Sequence, residues 1–205
     1  MTYIIDVLRQ EHCRMESLLR VLERELDVFG RGDRPDYDVI LGVIDYFKDY
    51  PDSCHHPKED MIIEKLKARD PVAAAAVGDL EAQHKEAGRR LRRVEFGVHQ
   101  VLEDQDVFRQ AVRDIIRNFI DEERRHMDAE ERIVFPAVLD ALRPEDWSEI
   151  GVKLTGHEDP FSQAEFEEKF SKLRRAILKM EEEADAERSP PSAVRDSGVN
   201  SAVPG

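Results

Sequence analysis

Cys54-His55-His56-Pro57-Lys58-Glu59-Asp60 and His126-Met127-Asp128-Ala129-Glu130-Glu131 are the stretches on which the reading of this chain turns. Each places a glutamate four residues after a histidine, and each follows a single histidine at nearly the same distance. His12 lies 43 residues before His55, and His84 lies 42 residues before His126. The two halves are offset by 72 residues at the single histidines and by 71 at the paired ones. A hydrophobic core has no need of histidines at a fixed period. A metal site assembled from two copies of one helical hairpin does.

Outward from these segments, apolar residues recur at helical spacing. Ile5, Leu8, Met15, Leu18, Leu19, Leu22 and Leu26 form one stripe, and His12 falls on it. The run from Gly30 to Pro35 has the composition of a connector. A second helix starts near Asp36 and carries Val39, Ile40, Val43, Ile44 and Phe47. Pro51 and Pro57 flank His55, and an interior proline removes a backbone donor. A break is therefore expected near 51–54, with Asp52 or Ser53 capping a restart that runs to about Lys67.

Asp70-Pro71 marks the next turn, and the third helix is expected to open in the alanine-rich run that follows. Its face holds Val77, Leu80, His84, Ala87, Leu91, Val94 and Val98. The fourth carries Val112, Ile115, Ile116, Phe119, His126, Ile133 and Val134, with Pro136 bending its end and Pro144 stopping it. Four antiparallel helices with short connections predict an all-α, up-down-up-down four-helix bundle over 1–143. Trp147, Ile150 and Leu154, then Phe166, Phe170, Leu173, Ile177 and Met180, predict additional C-terminal helices over 144–183, packed on the bundle. The stretch 184–205 is rich in Ser, Pro, Gly and charge, and is expected to be a disordered tail.

Composition narrows the function. The chain has 205 residues, 37% of them charged and 7% aromatic, which suits long amphipathic helices. A net charge of −14 leaves no basic stripe for phosphates, so nucleic acid is not an expected partner. No apolar run approaches the roughly 20 residues that cross a bilayer. The first residues lack the basic and apolar regions of a signal peptide, and two cysteines are too few for a disulfide framework. A cytoplasmic location is expected.

Residues four apart on a helix share a face. His55 with Glu59, and His126 with Glu130, each direct an imidazole and a carboxylate to one interior point, while His12 and His84 add one imidazole each. Four imidazoles and two carboxylates fit two ions better than one. If both glutamates bridge, they fill four coordination positions and the histidines four more, which leaves room for a bridging oxygen and small exogenous ligands. Mixed nitrogen and oxygen donors suit iron, or manganese. A single histidine on an apolar face is more often a hydrogen-bonded core residue, and one His-x-x-x-Glu is common on charged helices. The conjunction of all six residues, and the cost of burying them without a cation, favours the metal site.

Two other assignments stay open. Glu81-x-x-His84 and Glu123-x-x-His126 match the Glu-x-x-His motif of ferritin-like di-iron carboxylate oxidases, with Glu59 and Glu16 as the remaining carboxylates. His56 with Asp60 has the same spacing as His55 with Glu59. Among the other residues, His99 reads as structural and His157 as a cap or an outer residue; Cys13 and Cys54 each adjoin a candidate ligand, which hints at redox sensing, but read as small buried hydrophobes, and Tyr46 and Tyr50 either approach the site or pack.

With Ile133-Val134-Phe135-Pro136, the two quoted segments resemble the signature segments of hemerythrin-like (HHE cation-binding) domains, over roughly residues 4–142. The resemblance implies ligation by His12, His55, Glu59, His84, His126 and Glu130 around a non-haem di-iron centre of two iron ions with an oxo or hydroxo bridge. Respiratory hemerythrins carry a second third-helix histidine where Gly88 stands here. They also end on an aspartate five after the fourth-helix histidine, where this chain has Glu130 at four and Glu131 at five. The pattern is closer to bacterial di-iron proteins linked to nitric oxide stress and iron–sulfur repair, and to the iron-sensing domain of an F-box protein. The expected function is reaction with, or sensing of, O2, NO or peroxide in stress response or iron homeostasis, rather than oxygen carriage. Whether it turns over as an enzyme is left open. The expected partners are a small diatomic or peroxide ligand and a protein partner at the C-terminal extension, with a metal-free helical interaction module as the remaining alternative.

Overall fold

The computed structural model describes residues 3–103, 105, 108–155 and 160–188, without the side chains of 155 and 160–164. Every regular element among them is helical. Four rods make the bundle. The first is α1 (Tyr3–Gly30). The second joins α2 (Tyr37–Tyr50) to α3 (His56–Arg69) through a π-helical turn at Pro51–His55. After α4 (Pro71–Val77) comes the third rod, α5 (Leu80–Leu102). The fourth joins α6 (Arg109–Ala129) to α7 (Phe135–Ala141) through a second π-helical turn at Glu130–Val134.

The second and third rods start where the sequence offers caps. The Asp36 carboxylate accepts from the amides of Asp38 and Val39, and Asp79 accepts from Ala82. The alanine-rich run is not the opening of the third helix, as its composition suggested. It forms α4, capped by Asp70, and Gly78 at φ +87° separates it from α5 in a conformation that L side chains avoid. Alanines bury too little surface to hold the segment against that break.

The expected interruption near 51–54 is also different in kind. No side chain caps a restart there: the His56 amide donates to the Pro51 carbonyl five residues back, and the rod continues. The fourth rod repeats the device, with the Phe135 amide donating to the Glu130 carbonyl. A proline follows at once in both rods, Pro57 and Pro136. Proline lacks an N–H and its ring collides with the carbonyl four residues back, and a wider turn relieves both. In the second of these turns Ile133 is turned outward and 53% exposed, although the helical pattern had placed it inside.

The core is split in two. One cluster contains Met15, Leu18, Cys54, Leu91, Phe119 and Met127, and the other Leu8, Ile62, Leu80, Val134 and Phe135. Along each rod the polar candidates fall between members of the two clusters: His12 between Leu8 and Met15, His55 and Glu59 between Cys54 and Ile62, His84 between Leu80 and Leu91, and Glu130 between Met127 and Val134. One polar layer therefore crosses the bundle at a single level.

Two further helices cover the outside, α8 (Pro144–Thr155) and α9 (Pro160–Arg188). α8 packs on α3, held by Arg69, which donates to both Asp146 oxygens at 2.8 and 2.9 Å. α9 runs against α2 so closely that a Cβ on Gly42 would stand 2.9 Å from Ile177 Cγ1. Arg188 Nη2 donates to the buried Glu25 carboxylate at 2.7 Å. The helix thus continues past 184, where the tail was expected to begin; 189–205 and His157 lie outside the described residues. No helix among the described residues is long and apolar enough to cross a membrane.

Candidate metal centre

The structure brings all six sequence candidates to the polar layer. Glu59 and Glu130 are almost wholly buried, and each faces two imidazoles from different rods. Glu59 Oε1 stands 3.2 Å from His55 Nε2, and its Oε2 stands 3.4 Å from His84 Nε2. Glu130 Oε2 stands 3.2 Å from His12 Nε2, and its Oε1 stands 3.0 Å from His126 Nε2. Each carboxylate therefore presents one oxygen to a His12–His55 pair and the other to a His84–His126 pair. The register left open by the sequence is decided: His55 with Glu59 points inward, while the His56 ring pairs with Asp52 at 2.9 Å.

These approaches are close but are not hydrogen bonds. All four glutamate oxygens, His84 Nε2 and His126 Nε2 are buried without a partner of hydrogen-bonding geometry. Buried polar atoms are almost always satisfied, so six such atoms converging on one level is the arrangement of a donor set. The outer nitrogens are engaged away from the layer. His55 Nδ1 donates to Glu11 Oε2 at 2.9 Å, and His12 Nδ1 donates to Glu131 Oε1 at 3.0 Å. A carboxylate only accepts, so Nδ1 carries a proton, and a neutral ring keeps its Nε2 lone pair for a cation. The Nε2 atoms of His12 and His55 stand 3.2 Å apart. Adjacent donors on an ion bound at about 2.1 Å stand about 3 Å apart, so the spacing fits a cation between them.

The supporting contacts were not legible as site residues in the sequence. Glu11 is buried and also accepts from buried Lys58 at 2.9 Å. Burial opposes its ionisation, but His55 and Lys58 outweigh that and hold its carboxyl below the usual range. Glu131 is tied by Arg9 Nε at 3.0 Å. His126 Nδ1 donates to Gln83 Oε1 at 3.2 Å. Such outer partners fix the tautomer and orientation of a ligating imidazole. Only the stripe position of Glu11, next to His12, could have hinted at its role.

Electrostatically the layer calls for positive charge. Burial disfavours a charged His55, yet Glu59 and Glu11 push its pKa up to about 10. Burial also opposes ionisation of Glu59, but His55 and His84 hold it well below the usual carboxylate range. Beside them, burial and then the Glu130 charge push Glu123 up to about 7. Burial and then His84 push His56 down to about 4, which keeps that ring neutral.

A cavity of about 240 Å³ reaches the centre, lined by His84, Gly88, Glu123 and His126 among others. The ferritin-like assignment does not survive this geometry. Glu81 is 76% exposed and paired with Lys85, and Glu16 is engaged by Arg20 and Arg124 on the outside. Tyr46 and Tyr50 stack on one another and meet Phe170 of α9 edge to face. Cys54 is buried, and burial pushes its thiol up to about 11; Cys13 is exposed, not the buried hydrophobe expected. His99 lies on the surface.

No curated protein and no solved structure was found to match the chain. One family model does, that of the hemerythrin HHE cation-binding domain, over residues 3–138. That span runs from the first turn of α1 into α7 and holds every donor of the polar layer. The chain therefore belongs to the hemerythrin HHE cation-binding domain family.

Proposed function

We propose that the bundle holds two ions, chiefly iron with manganese as the alternative, at which O2, NO or peroxide reacts or is sensed. His12 and His55 serve one ion, His84 and His126 the other, and Glu59 and Glu130 join them. The observation that carries this reading is the division of each carboxylate between the two histidine pairs. A single ion would leave one oxygen of each glutamate buried and unpartnered. When bound, the ions supply the redox chemistry; the chain supplies imidazoles, buried negative charge and an approach along the Gly88 cavity. That cavity is too small for a large organic substrate, since ligand pockets for drug-sized molecules are typically about 300–1,000 Å³. It suits a diatomic molecule or peroxide.

Metal analysis after anaerobic reconstitution tests the composition, with close to two ions per chain expected. One zinc, or no metal at all, would sink the dinuclear reading and favour a metal-free interaction module. Stopped-flow mixing of the reduced protein with O2 tests the chemistry. We expect rapid oxidation in place of an adduct that releases O2 on degassing; such an adduct would restore oxygen carriage. Repeated turnover of added peroxide would make the protein an enzyme.

A further inference from the structure

We propose that His56 is a third imidazole donor to the ion position served by His84 and His126. The assignment rests on the dinuclear reading above and adds to its six residues one that the sequence offered only as an alternative register with Asp60. One ligand-capable atom from each of His56, His84 and His126 lies within 4.8 Å of the other two, in a cluster separate from that of His12, His55, Glu59 and Glu130. The His56 and His84 rings stack with centroids 3.5 Å apart and planes 7° from parallel.

The environment of the His56 ring repeats that of the other donors. At His12, His55 and His126 the Nδ1 atom faces an acceptor, respectively Glu131, Glu11 and Gln83, while Nε2 faces the centre. His56 Nδ1 likewise faces Asp52 Oδ1 at 2.9 Å. The proton is thereby held at Nδ1, and the Nε2 lone pair is free. No hydrogen bond engages that Nε2 among the described residues. A ring that served only as a stacking plate would need no carboxylate to set its tautomer.

The backbone accounts for two consecutive histidines reaching one centre. In an α-helix successive side chains are about 100° apart, so the residue after an inward ligand turns away. The π-helical turn Pro51–His55 carries an extra residue, and His56 follows at its end with a side chain only 15% exposed. Its ring enters the cavity beside Gly88, which has no side chain to occupy the same space. The two ion positions then differ: two imidazoles at the closed one and three at the one facing the cavity.

Anaerobic titration of chelator-treated protein with iron(II) and with cobalt(II) tests the assignment, on wild type, His56→Gln and the double variant His56→Ala/Gly88→His. Glutamine keeps a polar side chain within reach of Asp52, and circular dichroism reports the fold of each protein. We expect wild type to take up two ions. His56→Gln should bind the first ion as wild type does, bind the second about tenfold or more weakly, and alter the visible spectrum of the second cobalt. The double variant returns an imidazole from α5, where a new Cβ meets nothing nearer than Arg92 Nη1 at 3.5 Å, and should regain the second ion. If His56→Gln takes up both ions with wild-type affinity and an unchanged spectrum, His56 only packs and the proposal is overturned. Equal weakening of both ions, unrepaired in the double variant, overturns it as well. Should the glutamine variant not fold, His56→Ala alone decides by the number of ions it holds: weakened second-ion binding supports the proposal and two ions held as in wild type overturn it. A wild-type protein that takes up fewer than two ions refutes the dinuclear reading, not the placement of His56.

Discussion

The two halves of the centre share a residue pattern and end in different surroundings. His12 and His55 are 6% and 2% exposed, and their outer nitrogens are held by carboxylates that Arg9 and Lys58 hold in turn. His84 and His126 line a cavity, and the outer partner of His126 is the neutral amide of Gln83. The rods produce the difference. In the second rod the π-helical turn ends on the histidine of the histidine–glutamate pair, and in the fourth it begins on the glutamate. A repeat along the chain therefore fixes which donors are supplied but not how open each position is. On the dinuclear reading, the closed half anchors its ion and the open half meets the small molecule.

Glu59→Ala should erase the distinction altogether. Glu59 is shared between the halves, so we expect both ions to be lost on metal analysis. Removing one member of a buried charged set should also lower unfolding stability by about 3–5 kcal/mol in denaturant titration. Retention of one tightly held ion would mean that the halves are independent.

Glu11→Gln should weaken the closed half selectively. It removes the negative charge behind His55 and leaves Lys58 only the Glu167 carboxylate, at 3.6 Å, and an outer-partner loss of this kind costs about 10–100-fold in metal affinity. Gln83→Leu in the open half should cost less, because it removes only a neutral hydrogen bond. Competition with a chelator measures both, and equal losses would deny that the halves are supported differently.

Gly88→Leu should obstruct the open half. An extra side chain in the cavity should weaken azide, used as a probe anion, by about tenfold, in line with overpacking costs of about 1–3 kcal/mol. Unchanged azide binding would move the approach route elsewhere. His99→Ala, on the surface of α5, should change neither metal content nor spectrum.

The six residues of the polar layer were legible because they obey local rules: an inward stripe at helical spacing, a carboxylate four residues after an imidazole, and a near-constant interval. Glu11 obeys only the first, and Glu131 and Lys58 obey none. Glu131 meets His12 across 119 positions, and Lys58 meets Glu11 across 47. No period along the chain records such a meeting. The π-helical turns were misread as a capped break and a bend because proline signals the loss of a hydrogen bond, not the way the chain makes it up. Gly78 was passed over for a related reason: a positive φ is visible in one glycine only once the helices on both sides are placed.

The sequence by itself determined four amphipathic rods, their all-α packing and the six donors they carry, since each follows from the 3.6-residue turn of a helix acting on its own residues. Only the tertiary structure decided that Glu59 pairs with His55 and not Asp60 with His56, that each glutamate divides its oxygens between two histidine pairs, and that one half is sealed while the other opens over Gly88. Those outcomes depend on how far each rod is rotated and shifted against its neighbours. That rotation is set by the packing of two apolar clusters and by two widened turns, which no single helix encodes.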